Sequence, residues 1–214
     1  MIAGHIDRII GITGGIGSGK SVVSRILRLN GERVYDCDSE ARRLMESNPE
    51  VKDRLRSLLG EGAYTASGRL DRGYVASAIF SDSVLRDGVN RIVHAAVKED
   101  FLLFVESSDR ISFCESAILA TSHLDELCGS IWLVTAPEQQ RIERVRRRNG
   151  LPDEEILRRI ESQRDEFKSL PAGKVVEIMN GDDDMILPRL PELLGYASSE
   201  SLSELYEVEI YSKH

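Results

Sequence analysis

The stretch GGIGSGKS, Gly14 to Ser21, limits what this chain can fold into more than any other part of it. It fits G-x-x-x-x-G-K-[ST] with Gly14, Gly19, Lys20 and Ser21 at the fixed positions, a pattern describing a loop whose backbone N–H groups wrap a polyphosphate. Glycine takes φ > 0 and approaches an anion without a Cβ in the way, so amides from Gly15, Ile16, Gly17, Ser18 and Gly19 can converge on one phosphate. Lys20 adds a point charge near the β- and γ-phosphates. Ser21 supplies a hydroxyl for Mg2+, at the start of a helix whose positive end faces the phosphates. Such a loop works only between a buried strand and a helix, and both flanks are present. Residues 8–13 (RIIGIT) form a short apolar run suited to a buried parallel strand, and residues 22–30 carry apolar positions at Val22, Val23, Ile26, Leu27 and Leu29 before the stop at Gly31.

Charge and cysteine usage narrow the partners. With 28 basic and 36 acidic residues the net charge is −8, so the surface as a whole repels a polyanion and nucleic acid is not expected as a partner. Cys37, Cys114 and Cys128 are odd in number and lack C-x-x-C spacing, which argues against both a disulfide framework and a zinc site and for a reducing compartment. Residues 1–7 lack the pattern of a secretion signal, and no run of about 18 apolar residues occurs. A soluble cytoplasmic protein with no membrane partner is expected, monomeric or a weak homo-oligomer.

Along the chain, Arg33 to Tyr35 reads as a second strand delivering Asp36-Cys37-Asp38 to its C-terminal end, where open α/β sheets place their ligands. Ser39 is expected to cap a helix over 40–46, Asn48-Pro49 opens another over 50–59, and helical periodicity follows over 71–80 and 82–106. That block exceeds a crossover, since a whole βαβ unit takes roughly 30 residues. We therefore expect a helical substrate-binding insertion. Further strands are expected over 111–114, 131–134 and 174–179, with helices over 137–148, from 151 toward 167, and from 184 to 194.

Three constellations decide what is done with a bound nucleotide. Asp36 and Asp38 alternate on a segment read as extended and so point to opposite sides. Asp38 can accept a proton from an acceptor hydroxyl, or the pair merely caps the next helix. The arginines Arg141, Arg144, Arg146, Arg147 and Arg148 precede an Asn149-Gly150 break. They form either a solvated helix face or a lid whose guanidinium groups meet a transferring phosphoryl. Asn180-Gly181 after a strand is a plain turn, or a place where backbone groups reach an adenine edge.

Taken in order, these segments resemble the dephospho-coenzyme A kinase family, whose reaction is the last of coenzyme A synthesis. The resemblance runs over roughly the first 195 residues, through IIGITGGIGSGKS (Ile9 to Ser21), VYDCDSEARRL (Val34 to Leu44), GRLDRGYVASAIF (Gly68 to Phe80), Arg91-Ile92-Val93-His94, ESAILATSHL, RIERVRRRNGLPDEEILRRIESQ and Asn180-Gly181. It implies a P-loop NTPase-type α/β fold of three layers around a five-stranded parallel sheet. Residues 1–47 and 110–195 would form the nucleotide-binding core, 48–109 the acceptor-binding insertion, 141–168 the arginine-rich lid and 196–214 a tail. It implies ATP and Mg2+, with Lys20, Ser21, Arg144 and Arg148 holding the nucleotide, the metal and the moving phosphoryl, and Asn180 and Gly181 at the adenine. Asp38 would be the base for the ribose 3′-hydroxyl, and Arg42, Leu70, Arg72, His94 and Glu115 would lie on the acceptor side. Two positions depart from the family pattern: Ala95 stands where Pro follows the histidine, and Ala120-Thr121 stands where an acidic residue is usual, with Glu115 the nearest replacement.

The resulting expectation is ATP-dependent phosphorylation of the 3′-hydroxyl of dephospho-coenzyme A. The alternatives are another small-molecule kinase of the nucleoside or nucleotide type, and a catalytically weakened ATP-binding homologue. A GTPase switch would need an Asn-Lys-x-Asp segment, and the sequence has none. Replacing Lys20 with Ala should lower turnover by at least about a hundredfold, the scale of one lost transition-state donor, with the fold intact. Unchanged turnover would remove the loop from the mechanism.

Overall fold

The structure, a computed structural model, describes residues 6–182 together with Asp184 and Leu194. The helix expected over 184–194, apart from those two residues, and the tail lie outside the described residues. Five strands, β1 (Ile9–Thr13), β2 (Arg33–Asp36), β3 (Ser112–Glu115), β4 (Ser130–Thr135) and β5 (Val175–Met179), form one parallel sheet in the order β2-β3-β1-β4-β5. Eight helices are described: α1 (Lys20–Leu29), α2 (Cys37–Ser47), α3 (Pro49–Leu59), α4 (Arg72–Ser81), α5 (Ser83–Glu106), α6 (Glu138–Asn149), α7 (Asp153–Ser162) and α8 (Arg164–Lys168). The fold is α/β with both sheet faces covered, as an all-parallel sheet requires.

Strand alternation divides the core. Ile9, Tyr35, Cys114 and Ile131 face one way, onto Phe101, Val105, Leu119 and Leu124, while Ile12, Phe113, Trp132, Val134 and Ile178 face the other, onto Val23 and Leu27 of α1. β1 sits in the middle of the sheet, so the loop that follows it opens at the centre of the sheet's carboxyl edge.

Between β2 and β3 the chain makes a helical block with a core of its own: Val51, Leu55, Leu59, Tyr64, Val75, Val89 and Ile92. Each helix starts where its sequence supplies a cap. The side chains of Asn48, Asp71 and Asp82 accept from Val51 N–H, Tyr74 N–H, and both Val84 N–H and Leu85 N–H, and Pro49 occupies the first turn of α3. α5 joins the two parts of the molecule. Its N-terminal half contributes Val89 and Ile92 to the insertion core, and its C-terminal half contributes Val97, Phe101 and Val105 to the sheet core.

Two local expectations are corrected. The helix after β2 starts at Cys37 and not at residue 40, because Asp36 and not Ser39 caps it: the Asp36 carboxylate accepts from the N–H groups of Asp38 (3.1 Å) and Ser39 (3.2 Å). The helix from residue 153 does not run on to Phe167; it ends at Ser162, and α8 begins after Gln163.

Phe101 is wholly buried against Tyr35 at the joint between the sheet and α5, with ring centroids 5.2 Å apart. Phe101→Ala should destabilise the protein by about 3–5 kcal/mol, read as a lower urea midpoint at unchanged slope.

Candidate active site

The phosphate-binding loop is shaped from below and from the side. Gly19 sits at φ 90, in the left-handed region, and a Cβ there would collide with the side chain of Asn180, which lies against the loop and donates to the Ser18 carbonyl (2.8 Å). Glycine is thus required twice over at this position. No side chain caps α1, and the Lys20 and Ser21 N–H groups have no partner among the described bonds, so they remain available to an anion, and the helix dipole points into the same space.

Lys20, at the start of α1, donates to the Glu115 carboxylate (2.9 Å), and Arg28 approaches the same carboxylate at 3.7 Å. Glu115 ends β3, and its backbone is paired with Ile12 on one side and Asp36 on the other. The carboxylate is 5% exposed, so it is nearly dry and held by two cations.

These groups line a cleft of about 780 Å3 at the carboxyl edge of the sheet. The loop forms its floor with Gly14, Gly15, Ile16, Gly17, Gly19, Lys20 and Ser21; Asp36, Asp38, Ser39 and Arg42 come from β2 and α2; Arg144, Arg148, Arg159 and Gln163 come from the far side. Five basic side chains (Lys20, Arg42, Arg144, Arg148, Arg159) face three acidic ones (Asp36, Asp38, Glu115), a local excess of positive charge on a chain whose net charge is −8. A polyanion repelled by the rest of the surface is therefore drawn here.

The two aspartates are separated by the cap. Asp36 is engaged by two N–H groups and by the Ser39 hydroxyl (3.0 Å), whereas Asp38 stands in the first turn of α2 at the cleft wall, on a helix and not on an extended segment. Capping and a cleft-facing carboxylate thus coexist, one on each residue.

The arginines divide as well. Arg144 donates to the Asn180 carbonyl (2.8 Å) and to Asp182 (2.8 Å), tying α6 to the end of β5, and Arg148 one turn further on reaches the cleft with only its neighbour Asn149 as partner among the described bonds (2.8 Å). Arg146 points elsewhere and holds Asp153 with two bonds (2.9 and 2.5 Å), a pairing that raises its pKa. Arg141 lies half-buried against the loop, and burial lowers its pKa.

Of the residues expected at the site, Gly15, Ile16, Gly17, Gly19, Lys20 and Ser21 of the loop, Asp38, Arg42, Glu115, Arg144 and Arg148 meet in the cleft, while the Ser18 side chain is buried beneath it. Leu70, Arg72, His94, Asn180 and Gly181 do not line it. Leu70 packs on the insertion core and bridges Tyr64, Arg72 opens α4, and His94 sits half-buried in α5, where burial and the nearby His123 lower its pKa against the opposing pull of Glu166. The Asn180 side chain supports the loop from behind, and the Gly181 N–H is taken by Asp184 (2.9 Å).

Thr121 also receives a carboxylate that sequence reasoning missed. Glu166 of α8 accepts from the N–H groups of Ala120 (2.6 Å) and Thr121 (3.0 Å) and from the Thr121 hydroxyl (2.6 Å). Neither residue lines the cleft.

No group of three or more His, Cys, Asp or Glu among the described residues could hold a metal by itself. The oxygen donors Ser21, Asp36 and Glu115 do fit an ion that brings its own phosphate ligands, as Mg2+ does when it is held by one or two carboxylates and a nucleotide.

A parallel sheet of this order, with a phosphate-wrapping loop after its central strand, a carboxylate on the neighbouring strand and arginines opposite, defines a P-loop phosphotransferase. The dephospho-CoA kinase family model matches residues 8–183. The chain belongs to that family, and it is an enzyme of the transferase class. A dephospho-CoA kinase from Porphyromonas gingivalis is 41% identical over 186 residues, 86% of this chain and 92% of the relative. One from Bacteroides fragilis is 36% identical over 189 residues, 87% and 91%. Among solved structures, TT1252 from Thermus thermophilus superposes with a TM-score of 0.72 at 31% identity, covering 89% of this chain and 98% of the other. A shikimate kinase from Acinetobacter baumannii (TM-score 0.51, 18% identity, 91% and 97% covered) shares the fold.

Arg148→Ala should reduce kcat by about a hundredfold or more, as for one lost transition-state donor, while Arg146→Ala, which breaks only an exposed pair, should stay within about tenfold. The reverse ranking in steady-state kinetics would make the arginines a solvated charge run. Asp38→Asn should cost roughly 10²-fold in kcat with little change in ATP affinity or melting temperature, whereas Asp36→Ala should lose about 1 kcal/mol of stability as its cap is removed.

Proposed function

We infer that this protein transfers the γ-phosphoryl of ATP to the ribose 3′-hydroxyl of dephospho-coenzyme A, completing coenzyme A. The observation that carries the reading is the convergence in one cleft of the loop, Lys20, Glu115, Asp38 and the two arginines of α6. In this reading the loop amides and Lys20 hold the β- and γ-phosphates, and Arg144 and Arg148 neutralise charge on the phosphoryl as it moves. The Asp38 carboxylate accepts the proton of the attacking hydroxyl, while Arg42, one turn along α2, orients the acceptor. Ser21, with Asp36 or Glu115, would hold Mg2+, which would supply further charge neutralisation at the phosphates. Glu115 keeps Lys20 aimed into the cleft before the nucleotide arrives.

α6 and α7 act as a lid whose arginines reach the phosphates, and the block over residues 48–109 holds the acceptor. In this reading Leu70, Arg72 and His94 on that block receive the distal part of the acceptor.

An acceptor panel tests the assignment. With ATP and Mg2+, kcat/KM for dephospho-coenzyme A should exceed that for adenosine, AMP and shikimate by at least about a hundredfold, the effect of leaving buried polar groups of the site unpaired. A nucleoside or AMP preferred over dephospho-coenzyme A would replace this reading with a nucleotide-type kinase. Glu115→Gln should lower kcat by about a hundredfold or more, because Lys20 loses its charged partner and the metal a ligand.

A further inference from the structure

Ile16 is the one residue of the phosphate loop that is gripped from three directions. Its N–H donates to the side-chain oxygen of Gln163 (2.8 Å), at the break between α7 and α8. Its carbonyl accepts from Arg141 Nε of α6 (3.0 Å). Its side chain packs on the small core formed by Ile142, Val145, Ile156 and Ile160, which holds α6 and α7 together. The glycines on either side follow from the same contact. A Cβ on Gly15 would collide with the Arg141 guanidinium, and one on Gly17, itself at φ 79, would lie 2.6 Å from the Arg141 carbonyl oxygen and 3.0 Å from Val145. Close approach of α6, and not only of a phosphate, therefore excludes side chains there.

We propose that Ile16 is a joint holding the lid in register with the phosphate loop, and that Gln163 is the positioning residue that locks it. The proposal rests on reading α6 and α7 as the lid of the phosphoryl-transfer site. Arg141, Arg144 and Arg148 recur at spacings of three and four, so they lie along one face of α6. The first grips Ile16 and the other two line the cleft. A displacement at Ile16 is thereby carried along one helix to the guanidinium groups, and a misplacement of about 1 Å is enough to cost on the order of a hundredfold in rate. Gln163 suits the role because a neutral amide oxygen accepts the N–H without bringing negative charge toward the phosphates. Arg159 and Ser162 of α7 line the same wall, so the end of α7 and Gln163 after it are fixed to the cleft.

The test is Gln163→Met, similar in length but without the acceptor, at a partly exposed position where folding should survive. Without substrates, exchange of the Ile16 amide hydrogen, followed by NMR, should accelerate at least about tenfold at an unchanged melting temperature. In turnover, kcat should fall by about tenfold while KM for ATP changes by less than about threefold. In an Arg144→Ala, Arg148→Ala background the same substitution should then cost less than about twofold, because its effect passes through those two arginines. An unchanged Ile16 exchange rate overturns the joint. Equal penalties in both backgrounds overturn the positioning role. A lower KM for ATP at unchanged kcat would make Gln163 a competitor for the loop amide and would overturn it too. The exchange measurement uses neither substrate, so it stands or falls independently of which acceptor is phosphorylated.

Discussion

β1 pairs with β3 on one side and β4 on the other, and from this double pairing the position of each cleft-lining group follows. Ile12 lies beside Glu115 and Trp132, so the chain leaving β1 turns directly over a carboxylate on one flank and under the segment leading into α6 on the other. The loop needs both neighbours. Glu115 supplies the counter-charge that keeps Lys20 in the cleft, and α6 supplies the arginines and the contacts with Ile16. Had β1 been an edge strand, one of those flanks would be solvent.

The molecule is assembled from cores of different kinds. The two faces of the sheet and the insertion each have an extended apolar cluster, while the α6–α7 pair has only a small one. α5 bridges the insertion to the sheet, and Ile16 bridges the α6–α7 pair to the loop. Small cores with narrow attachments are what moving parts need, because a segment with few buried contacts shifts at low cost while its own geometry is preserved. A rigid floor beneath two attached walls fits a reaction that must admit two anionic substrates and then exclude water.

How much of this was legible in the sequence depends on the distance over which each feature is specified. The loop, its strand and its helix were readable because motif, apolar run and amphipathic helix are adjacent, and the cap at Asn48 was visible as a single residue before a helical run, whereas Asp71 and Asp82, read as first helical residues, are caps in the structure. The Asp-x-Asp left two readings open, a proton acceptor on an extended segment or a helix cap, and the structure divides them: Asp36 is the cap and Asp38 stands in the helical first turn that follows. The break at Gln163 and the contacts Gln163–Ile16, Asn180–Ser18 and Glu166–Thr121 join residues far apart in the chain, and no local pattern encodes them. The family resemblance named many of the residues that line the cleft, but not the bond by which the Asn180 side chain props the loop from beneath.

The central claim is that the cleft delivers a phosphoryl group to one particular hydroxyl. Incubating the protein with ATP, Mg2+ and dephospho-coenzyme A and locating the new phosphate by 31P–1H correlation NMR tests it most directly. The account predicts a phosphomonoester on the ribose 3′-oxygen and one ADP per product formed. A phosphate on any other oxygen, or ADP released with free phosphate and an unmodified acceptor, would contradict it.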